Sequence, residues 1–264
     1  MDTNERDTPE GHLERLTHAD FMRVAQFVTS ATGIKLPPSK KIMVEGRLRR
    51  RMRALGLVSL HEYCRNVFDD GVFEDEAIKL IDAVTTNKTD FFRERAHFNF
   101  LAKSVLPELA QHGREAKVWS AACSIGAEPY TLAMVMSEFA ATHPGFRYSI
   151  LASDISTEVL STAARAIYSE DMIEPVPMAL RERYVLRSVD PAKRLVRMAP
   201  ALRAQVRFLR INLMDEEYPV DRNLDVVFCR NLLIYFDKPT QEMVVQRLCQ
   251  NLRPGGYLML GHSD

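Results

Sequence analysis

Charged and amide side chains follow the ends of several predicted strands, which is where a sheet of parallel strands binds its ligands. Glu128 lies between a loop of small residues, 123–127, and the start of a predicted helix, and Asp154 lies at the end of the next predicted strand. Arg230 and Asn231 interrupt a strongly apolar segment further along the chain. A loop that cradles a pyrophosphate usually contains more glycines and has no acid beside the phosphates. These residues therefore predict a nucleoside-like ligand that is neutral or cationic.

Each of these residues also has a purely structural explanation. Asp154 could accept hydrogen bonds from the ribose of NAD or S-adenosylmethionine, or it could cap the helix that follows. Arg230 could contact the ligand or form a salt bridge with a nearby acid, because an unpaired arginine among apolar residues is costly. Asn212 and Leu213 follow the third predicted strand and could contact an adenine, while Tyr235 could face the pocket or belong to the core.

Residues 85–93 join two parts of the chain that differ in pattern. They place Asn87, Thr89 and Arg93 beside two adjacent phenylalanines. Polar residues next to paired aromatic rings at a domain junction suit a lid over a cleft. Taken alone, however, these residues favour a capped linker helix whose phenylalanines lie in the core.

The periodicity of apolar residues predicts an α/β protein with two different halves. A disordered N-terminus, 1–16, precedes a small all-helical domain of four helices, 17–85, and then a linker with a connecting helix, 86–116. Strands and helices alternate over 117–264, which indicates a doubly wound, Rossmann-like, mainly parallel sheet with a small β-subdomain inserted at about 185–206. The predicted strands of this half are 117–122, 148–153, 206–212, 224–229 and 257–261. Its predicted helices are 129–142, 156–166, 177–184 and 240–252.

The second predicted helix, residues 40–55, is strongly basic. It contains seven lysines and arginines against one acid, Glu45. Leu48, Met52 and Leu55 supply an inward face, so the basic residues are expected to project as a dense cationic surface. Such a surface could bind an acidic protein or a nucleic acid backbone, or it could simply be solvated. The arginines concerned are Arg47, Arg49, Arg50, Arg51 and Arg53.

Composition narrows the class of protein. The 264 residues include 35 lysines and arginines and 35 acids, so no net charge favours nucleic acid or membrane partners. No signal peptide is visible, and no apolar segment approaches the roughly 20 residues that a membrane helix needs. The four cysteines are far apart, which is typical of reduced thiols in the cytoplasm. The sequence contains no motif for a metal site.

Six segments of the chain, in their order and spacing, closely resemble the chemotaxis receptor methyltransferases of the CheR family. They are TTNKTDFFR, VWSAACSIGAEPYTLA, ASDIS, INL, FCRNLLIYFDK and LRPGGYLMLGHSD. The resemblance covers residues 17–264 and implies a helical domain followed by a methyltransferase domain with a β-subdomain. It implies transfer of a methyl group from S-adenosylmethionine to glutamate side chains in the cytoplasmic regions of bacterial chemoreceptors.

The resemblance also implies roles for individual residues. It places Arg93 and Tyr235 nearest the methyl-transfer centre, and it makes the five arginines of the basic helix a docking surface for the acidic helical bundle of the receptor. The cofactor contacts that it implies are Asn87, Thr89, Arg93, Glu128, Asp154, Asn212, Leu213, Arg230 and Asn231.

The chain departs from the family pattern in two places. Some relatives dock a C-terminal receptor pentapeptide through a glycine-containing loop, and the equivalent residues 188–194 contain no glycine, so the resemblance does not imply such a tether. Relatives also continue beyond the equivalent of Asp264, and a truncated C-terminus is therefore expected. Two other functions remain open on the sequence: a methyltransferase acting on nucleic acid through the basic helix, and a non-catalytic adaptor that binds cofactor or receptor as a signal.

Overall fold

The computed structural model describes residues 15–69, 73–85 and 87–262, so most of the N-terminal segment predicted to be disordered lies outside the described residues. The chain forms two compact units. The first comprises the residues up to Thr29 together with Leu36–Val84, and the second comprises Ser30–Lys35 and the chain from Thr85 onward. A six-residue segment inside the predicted helical domain thus belongs to the second unit.

The first unit contains the four helices that the sequence predicts. Thr17 begins the first helix as its cap, because its Oγ1 accepts a hydrogen bond from the Asp20 N–H at 3.0 Å. Ser59 caps the third helix in the same way, accepting from the Glu62 N–H at 2.9 Å. The helices are α1 (His18–Thr32), α2 (Lys41–Ala54), α3 (Leu60–Phe68) and α4 (Phe73–Val84).

The basic helix α2 is less cationic at its surface than the sequence predicts. Arg47 donates to the main-chain carbonyl of Val84 at 3.0 Å, Arg49 pairs with Glu45, and Arg51 forms two hydrogen bonds with the buried Glu76. These three arginines are partly buried, and their contacts stabilise the unit to which they belong. Only Arg50 and Arg53 of the five are exposed. The expectation of a dense surface of five arginines is therefore wrong.

The inward face of α2 also differs from the prediction. Val44 and Leu48 are fully buried, but Leu55 is 46% exposed. The helix ends at Ala54, and Gly56 follows with a positive φ of 68°. Because the chain turns there, Leu55 leaves the buried stripe that a continuing helix would have kept it in.

The second unit begins with a helical connection and then forms a parallel sheet. The connection consists of α5 (Arg95–Phe100), a π-helical segment (Leu101–Val105) and α6 (Leu106–Ala110). Five strands pair in parallel in the order β6-β2-β1-β7-β8. They are β1 (Ala116–Ala121), β2 (Tyr148–Asp154), β6 (Val206–Arg210), β7 (Leu224–Cys229) and β8 (Leu252–Leu260). The main helices between strands are α7 (Ala127–Thr142), α8 (Thr157–Arg165) and α11 (Lys238–Gln250).

Apolar side chains fill both sides of this sheet, because successive residues of a strand point to opposite faces. In β1, Val118 packs in one layer with Ile150 and Phe228, whereas Trp119 packs in the other layer with Val227. The predicted doubly wound, mainly parallel sheet is confirmed. None of the helices in the described parts of the chain is long and apolar enough to cross a bilayer.

A second, antiparallel sheet has the strand order β3-β5-β4. Its strands are β3 (Ile167–Ser169), β4 (Val185–Arg187) and β5 (Leu195–Met198), accompanied by the short helices α9 (Met178–Tyr184) and α10 (Pro200–Arg203). The hairpin that the sequence predicts at about 185–206 corresponds to β4 and β5. Strand β3 was not predicted, because three residues directly after a helix carry too little alternation to be recognised.

Asp225 links the amino ends of three strands through hydrogen bonds. It is fully buried at the start of β7, and it accepts hydrogen bonds from the main-chain N–H of Lys117 at 2.9 Å and from Nε of Arg253 at 2.8 Å. Arg114, which precedes β1, binds both of its carboxylate oxygens. Burial alone would raise the pKa of this carboxyl, but the hydrogen bonds from Lys117 and the two arginines hold the pKa below its usual value.

Candidate active site

The strand order defines where this fold binds ligands. From β1 the chain proceeds through β2 to β6 on one side of the sheet, and then through β7 to β8 on the other. Ligands of such sheets bind at the carboxyl ends of the strands on either side of that reversal, here β1 and β7. Glu128 follows β1 in the first turn of α7, Arg230 directly follows β7, and Asp154 ends the neighbouring strand β2.

The loop between β1 and α7 is fixed by Asp154. One carboxylate oxygen of Asp154 accepts a hydrogen bond from the Ser124 N–H at 2.8 Å, and the other accepts from the Ser156 N–H at 3.0 Å. The N-cap of helix α8 is Ser156, whose side chain accepts from the Val159 N–H, and Asp154 binds the main-chain N–H of this capping residue. Asp154 thus orders the loop and the turn after β2.

Arg230 lies at the centre of a buried cluster of charges. Its side chain is only 2% exposed, and Nη1 donates to Glu128 Oε2 at 3.0 Å. Nη2 donates to the main-chain carbonyl of Arg93 and lies 3.3 Å from Glu94 Oε2. Glu94 Oε1 accepts from the Asn231 amide at 2.9 Å. The predicted salt bridge of Arg230 therefore exists, and it links two acids and two other predicted site residues.

The two acids of this cluster have different electrostatic surroundings. Burial raises the pKa of Glu128, although Arg230 and the Ser120 hydroxyl, which donates to Glu128 at 2.7 Å, favour the charged form. Burial also acts to raise the pKa of Glu94, but the hydrogen bond from Asn231 and the charge of Arg230 outweigh it and lower the pKa. The lowered pKa keeps Glu94 ionised at neutral pH, and two carboxyl groups surround the single guanidinium of the cluster. The cluster suits a positively charged ligand.

Residues 87–94 lie against the loops at the carboxyl end of the sheet. The Ser124 hydroxyl donates to the main-chain carbonyl of Asn87 at 2.9 Å, and the Phe92 N–H donates to Thr131 Oγ1 at 3.2 Å. Arg93 Nη1 donates to the Lys88 carbonyl at 3.2 Å. Residues 87–90 are not helical and α5 begins only at Arg95, so the connecting helix starts later than a helix cap within residues 85–93 would place it.

One of the two phenylalanines of this segment lies fully in the core, where the linker-helix interpretation expects both. Phe91 is buried, and its ring meets the Tyr168 ring edge-on at 5.2 Å between centroids. Phe92 is half-buried, as are Asn87 and Thr89 on the same segment. The apolar rings thus anchor a segment whose polar residues lie beside the ligand-binding edge.

Asn212, Leu213 and Tyr235 have other partners. The Asn212 amide donates to the Ala31 carbonyl at 2.7 Å and accepts from the Met214 N–H at 3.1 Å, while Leu213 is buried in the apolar layer around Trp119. The Tyr235 carbonyl accepts from the Lys35 N–H at 3.1 Å, and its half-buried side chain packs against the same layer.

The segment Ser30–Lys35 is therefore held by two predicted site residues. Gly33 lies within it with a φ of +73°, and a Cβ added there would lie 2.7 Å from Met214 Sδ. The segment packs too closely for a side chain at this position.

Two family models match the chain. The model described as CheR methyltransferase, all-alpha domain, matches residues 19–85, and that described as CheR methyltransferase, SAM binding domain, matches residues 87–264. The chain belongs to the CheR methyltransferase family.

Relatives match this CheR family member over most of their length. A chemotaxis protein methyltransferase of Salmonella typhimurium is 40% identical over 253 residues, which is 94% of this chain and 84% of the relative. That of Escherichia coli (strain K12) is 39% identical over 94% of this chain and 85% of the relative. Chemotaxis protein methyltransferase 2 of Pseudomonas aeruginosa is 39% identical over 94% of this chain and 87% of the relative.

The site of this CheR family member fits S-adenosylmethionine, the cofactor of its second domain. This cofactor carries a sulfonium and an ammonium but no phosphate, which suits the acidic cluster of Glu94, Glu128 and Arg230. Arg230 Nε is buried, and in the described part of the chain it has no hydrogen-bond partner. At Gly126, with φ +95°, an added Cβ would approach two neighbouring side chains to 2.9 Å, so the chain packs too tightly there for a side chain.

Sequence reasoning missed three residues of this CheR site. Glu94 directly follows the predicted Arg93, and its acidic side chain next to a polar segment was the available signal. Ser120 and Ser124 bind Glu128 and Asp154, but a serine at a strand end or in a loop carries no distinguishing pattern. Glu94, Ser124 and Asn231 have positive φ values of 54°, 52° and 58°, and of these three residue types only Asn adopts such values with some frequency.

Replacing Gly126 by alanine is expected to lower the free energy of unfolding by about 2–4 kcal/mol. The left-handed φ is strained for alanine, and the new Cβ would meet Ala163 Cβ and Tyr168 Oη at 2.9 Å. Urea unfolding at neutral pH measures the change. Gly145→Ala is the matched control, because Gly145 has a φ of +89° but no atoms within 4 Å of an added Cβ. Equal losses in both variants would contradict the importance of close packing at Gly126.

Proposed function

We propose that this chain transfers the methyl group of S-adenosylmethionine to glutamate side chains in the cytoplasmic regions of bacterial chemoreceptors, forming glutamyl methyl esters. The observation that carries the proposal is the extent of the match to relatives named chemotaxis protein methyltransferases. It spans 94% of the chain and therefore includes both units and every segment of the site. The proposal places the protein in the cytoplasm, and the free cysteines Cys64, Cys123, Cys229 and Cys249 suit a reducing compartment.

The proposed methyl transfer depends more on the alignment of the two reactants than on a general base. S-adenosylmethionine supplies an electrophilic methyl group on a sulfonium. A glutamate acceptor is already ionised at neutral pH, because its carboxyl titrates near ~4.3. The protein contributes by aligning the two reactants and by stabilising charge with fixed groups.

Several residues would hold the cofactor in this proposal. Glu128 and Asp154 bind its ribose hydroxyls and methionyl amine, and Arg230 keeps the charged Glu128 in place through their 3.0 Å contact. The full proposed set is Asn87, Thr89, Arg93, Glu128, Asp154, Asn212, Leu213, Arg230 and Asn231. Of these, Asn212 and Leu213 would contact the cofactor at the side of the site next to Ser30–Lys35, where the Asn212 amide binds Ala31.

Arg93 and Tyr235 are the residues proposed to act nearest the transferred methyl group. Arg93 pairs with the acceptor carboxylate or with the methionyl carboxylate of the cofactor, and Tyr235 orients the acceptor oxygen. The main-chain carbonyl of Arg93 is bound by Arg230, so the backbone that presents its side chain is fixed to the charged cluster.

Receptor docking is proposed for the exposed part of α2. Methylation regions are acidic helical bundles, and Arg50 and Arg53 offer the exposed cations for them. Arg47 and Arg51 contribute by holding α2 to α4, and Arg49 pairs with Glu45 within α2. Contacts between exposed charges are screened by salt, so docking should weaken as ionic strength rises.

The decisive experiment incubates the protein with methyl-labelled S-adenosylmethionine and a panel of chemoreceptor cytoplasmic fragments, with and without their C-terminal tails. Label is expected on receptor glutamates and should be released as methanol by mild base, which is characteristic of a methyl ester. Replacing the labelled glutamates by alanine should remove the label. Transfer to RNA but not to receptor would contradict the proposal, as would cofactor binding without any transfer.

Replacing Arg93 by alanine is expected to lower kcat/KM for receptor methylation at least about 100-fold, which is the size of losing one charged contact to reacting groups. Arg147→Ala is the control, because Arg147 is exposed and lies just before β2, at the opposite end of the strands. Both variants should keep the thermal stability of the unmodified protein. Near-normal methylation by Arg93→Ala would remove Arg93 from its proposed role.

A further inference from the structure

Glu94 joins two of the proposed cofactor residues without belonging to the set that the family resemblance implies. Its Oε1 accepts from the Asn231 amide at 2.9 Å, and its Oε2 lies 3.3 Å from Arg230 Nη2. We propose that Glu94 is a positioning residue of the cofactor site, whose carboxylate fixes the side chains of Arg230 and Asn231. It acts through these two residues and does not need to contact the cofactor itself.

The backbone supports this role. Glu94 has φ 54° and ψ 60°, and Asn231 has φ 58°. The left-handed region is unusual for residues other than glycine and is least unusual for Asn and Asp, so Glu94 is the more strained of the two. Such residues persist where the surrounding structure holds them, and they concentrate at functional sites. The hydrogen bond between these two side chains ties both strained positions together.

The guanidinium of Arg230 is constrained on several sides. Glu128 binds one terminal nitrogen, while Glu94 and the Arg93 carbonyl bind the other. The Phe98 ring lies 5.3 Å from the guanidinium carbon and covers it. Among the described residues, Arg230 Nε is buried without a hydrogen-bond partner, and so is Glu94 Oε2, which contacts Arg230 as an ion pair. Removal of Glu94 would take one carboxylate from the other terminal nitrogen and would remove the hydrogen bond between Asn231 and position 94.

The charge of Glu94 is retained at neutral pH. The hydrogen bond from Asn231 and the charge of Arg230 overcome burial and lower its pKa. His97 lies 3.5 Å away through Nδ1, and burial and the charge of Arg230 lower the pKa of this imidazole. Arg230 is thus balanced by two carboxylates, Glu94 and Glu128, and a neutral side chain at position 94 would alter that balance.

The Glu94→Gly variant distinguishes the effect of the carboxylate from the effect of the strained backbone at this position. Glycine adopts a φ of 54° without strain, so this variant removes the carboxylate while relieving the backbone. The expected result is a dissociation constant for S-adenosylhomocysteine at least tenfold higher by calorimetry, with a melting temperature within a few degrees of the unmodified protein. Glu94→Gln, which keeps the size of the side chain, should also weaken binding at least fivefold. Unchanged affinity in both variants would overturn the inference.

Glu108→Gln is the matched control. Glu108 lies in α6 of the same helical connection and also pairs with an arginine, Arg253, and a second donor, Tyr257 at 2.6 Å. Its replacement should leave the dissociation constant within twofold. If Glu108→Gln weakened binding as much as the Glu94 variants do, the effect would be a general loss of packing and the inference would fail.

A double-mutant cycle tests whether Glu94 acts through Asn231. Asn231→Ala and Glu94→Gln should each raise the dissociation constant, and the double variant should raise it at least fivefold less than the product of the two single effects. Simple multiplication of the two effects would overturn the positioning role. The inference rests on the proposed assignment of Arg230 and Asn231, but these measurements need no receptor. Failure of receptor methylation would therefore refute the proposed function and leave this inference standing.

Discussion

Arg230→Leu is expected to abolish measurable binding of S-adenosylmethionine and to lower the free energy of unfolding by about 3–5 kcal/mol. The leucine would leave Glu94 and Glu128 buried near each other without the cation that compensates both. One carboxylate of such a pair must then gain a proton or take up water, and the loops after β1 and β7 lose their common attachment. Calorimetry with S-adenosylhomocysteine and urea unfolding measure the two effects.

A triple variant distinguishes the structural role of Arg230 from its role in binding. Replacing Arg230 by methionine together with Glu94→Gln and Glu128→Gln removes all three charges and should recover most of the lost stability, because a buried ionic cluster adds little net stability over neutral side chains. Cofactor binding should remain absent, since the negative charge that suits the sulfonium is gone. Recovery of binding along with stability would contradict the electrostatic role assigned to the cluster.

Asp225→Asn is expected to destabilise the protein by a similar amount, about 3–5 kcal/mol, while leaving cofactor affinity unchanged. The amide would disrupt the contacts of the buried carboxylate with Arg114 and Arg253 at the amino ends of the strands, far along the sheet from the cofactor loops. Urea unfolding and calorimetry check the two parts of this expectation. Asp221→Asn is the control: Asp221 pairs with Lys117 at 2.9 Å but is largely exposed, so its loss should cost less than about 1 kcal/mol.

The pH dependence of stability should identify the same carboxylate. The pKa of Asp225 is lower in the folded protein than in the unfolded chain, where Asp titrates near ~3.9. Its stabilising contribution is therefore complete above that value and is lost as the pH falls through the folded pKa. The difference in unfolding free energy between the unmodified protein and Asp225→Asn should stay constant from neutral pH to about pH 5 and shrink below pH 4. A difference as large at pH 3 as at neutral pH would contradict this account.

The sequence predicted the sheet well because apolar runs and polar strand ends are local features. The predicted strands 148–153 and 224–229 agree with β2 and β7 to within one residue, and the positions of Asp154 and Arg230 follow directly from them. The partners of these residues could not be predicted in the same way. Glu94 and Arg230 are separated by 136 residues, and only the folded chain brings them together.

The errors in the prediction have a common physical origin. The sequence predicts Arg47 and Arg51 at the surface because a helical pattern shows which face is polar. It does not show which polar residues contact acids and carbonyls of neighbouring helices. The same limit applies to Asn212, which stays a predicted adenine contact: its amide binds the carbonyl of Ala31, 181 positions earlier in the chain, and its place at a strand end does not indicate that partner. In each case a partner distant in sequence determines the contact.

The placement of Ser30–Lys35 limits how this protein can be recombined with its relatives. The chain enters the second unit at Ser30, leaves it after Lys35 and returns at Thr85, so the two units are not consecutive in sequence. A chimaera joined near residue 86, where the two family models meet, would import a foreign version of this segment against Met214 and Tyr235. An exchange of the helical unit that leaves the methyltransferase unit intact must therefore retain residues 30–35 of the protein that supplies the methyltransferase unit.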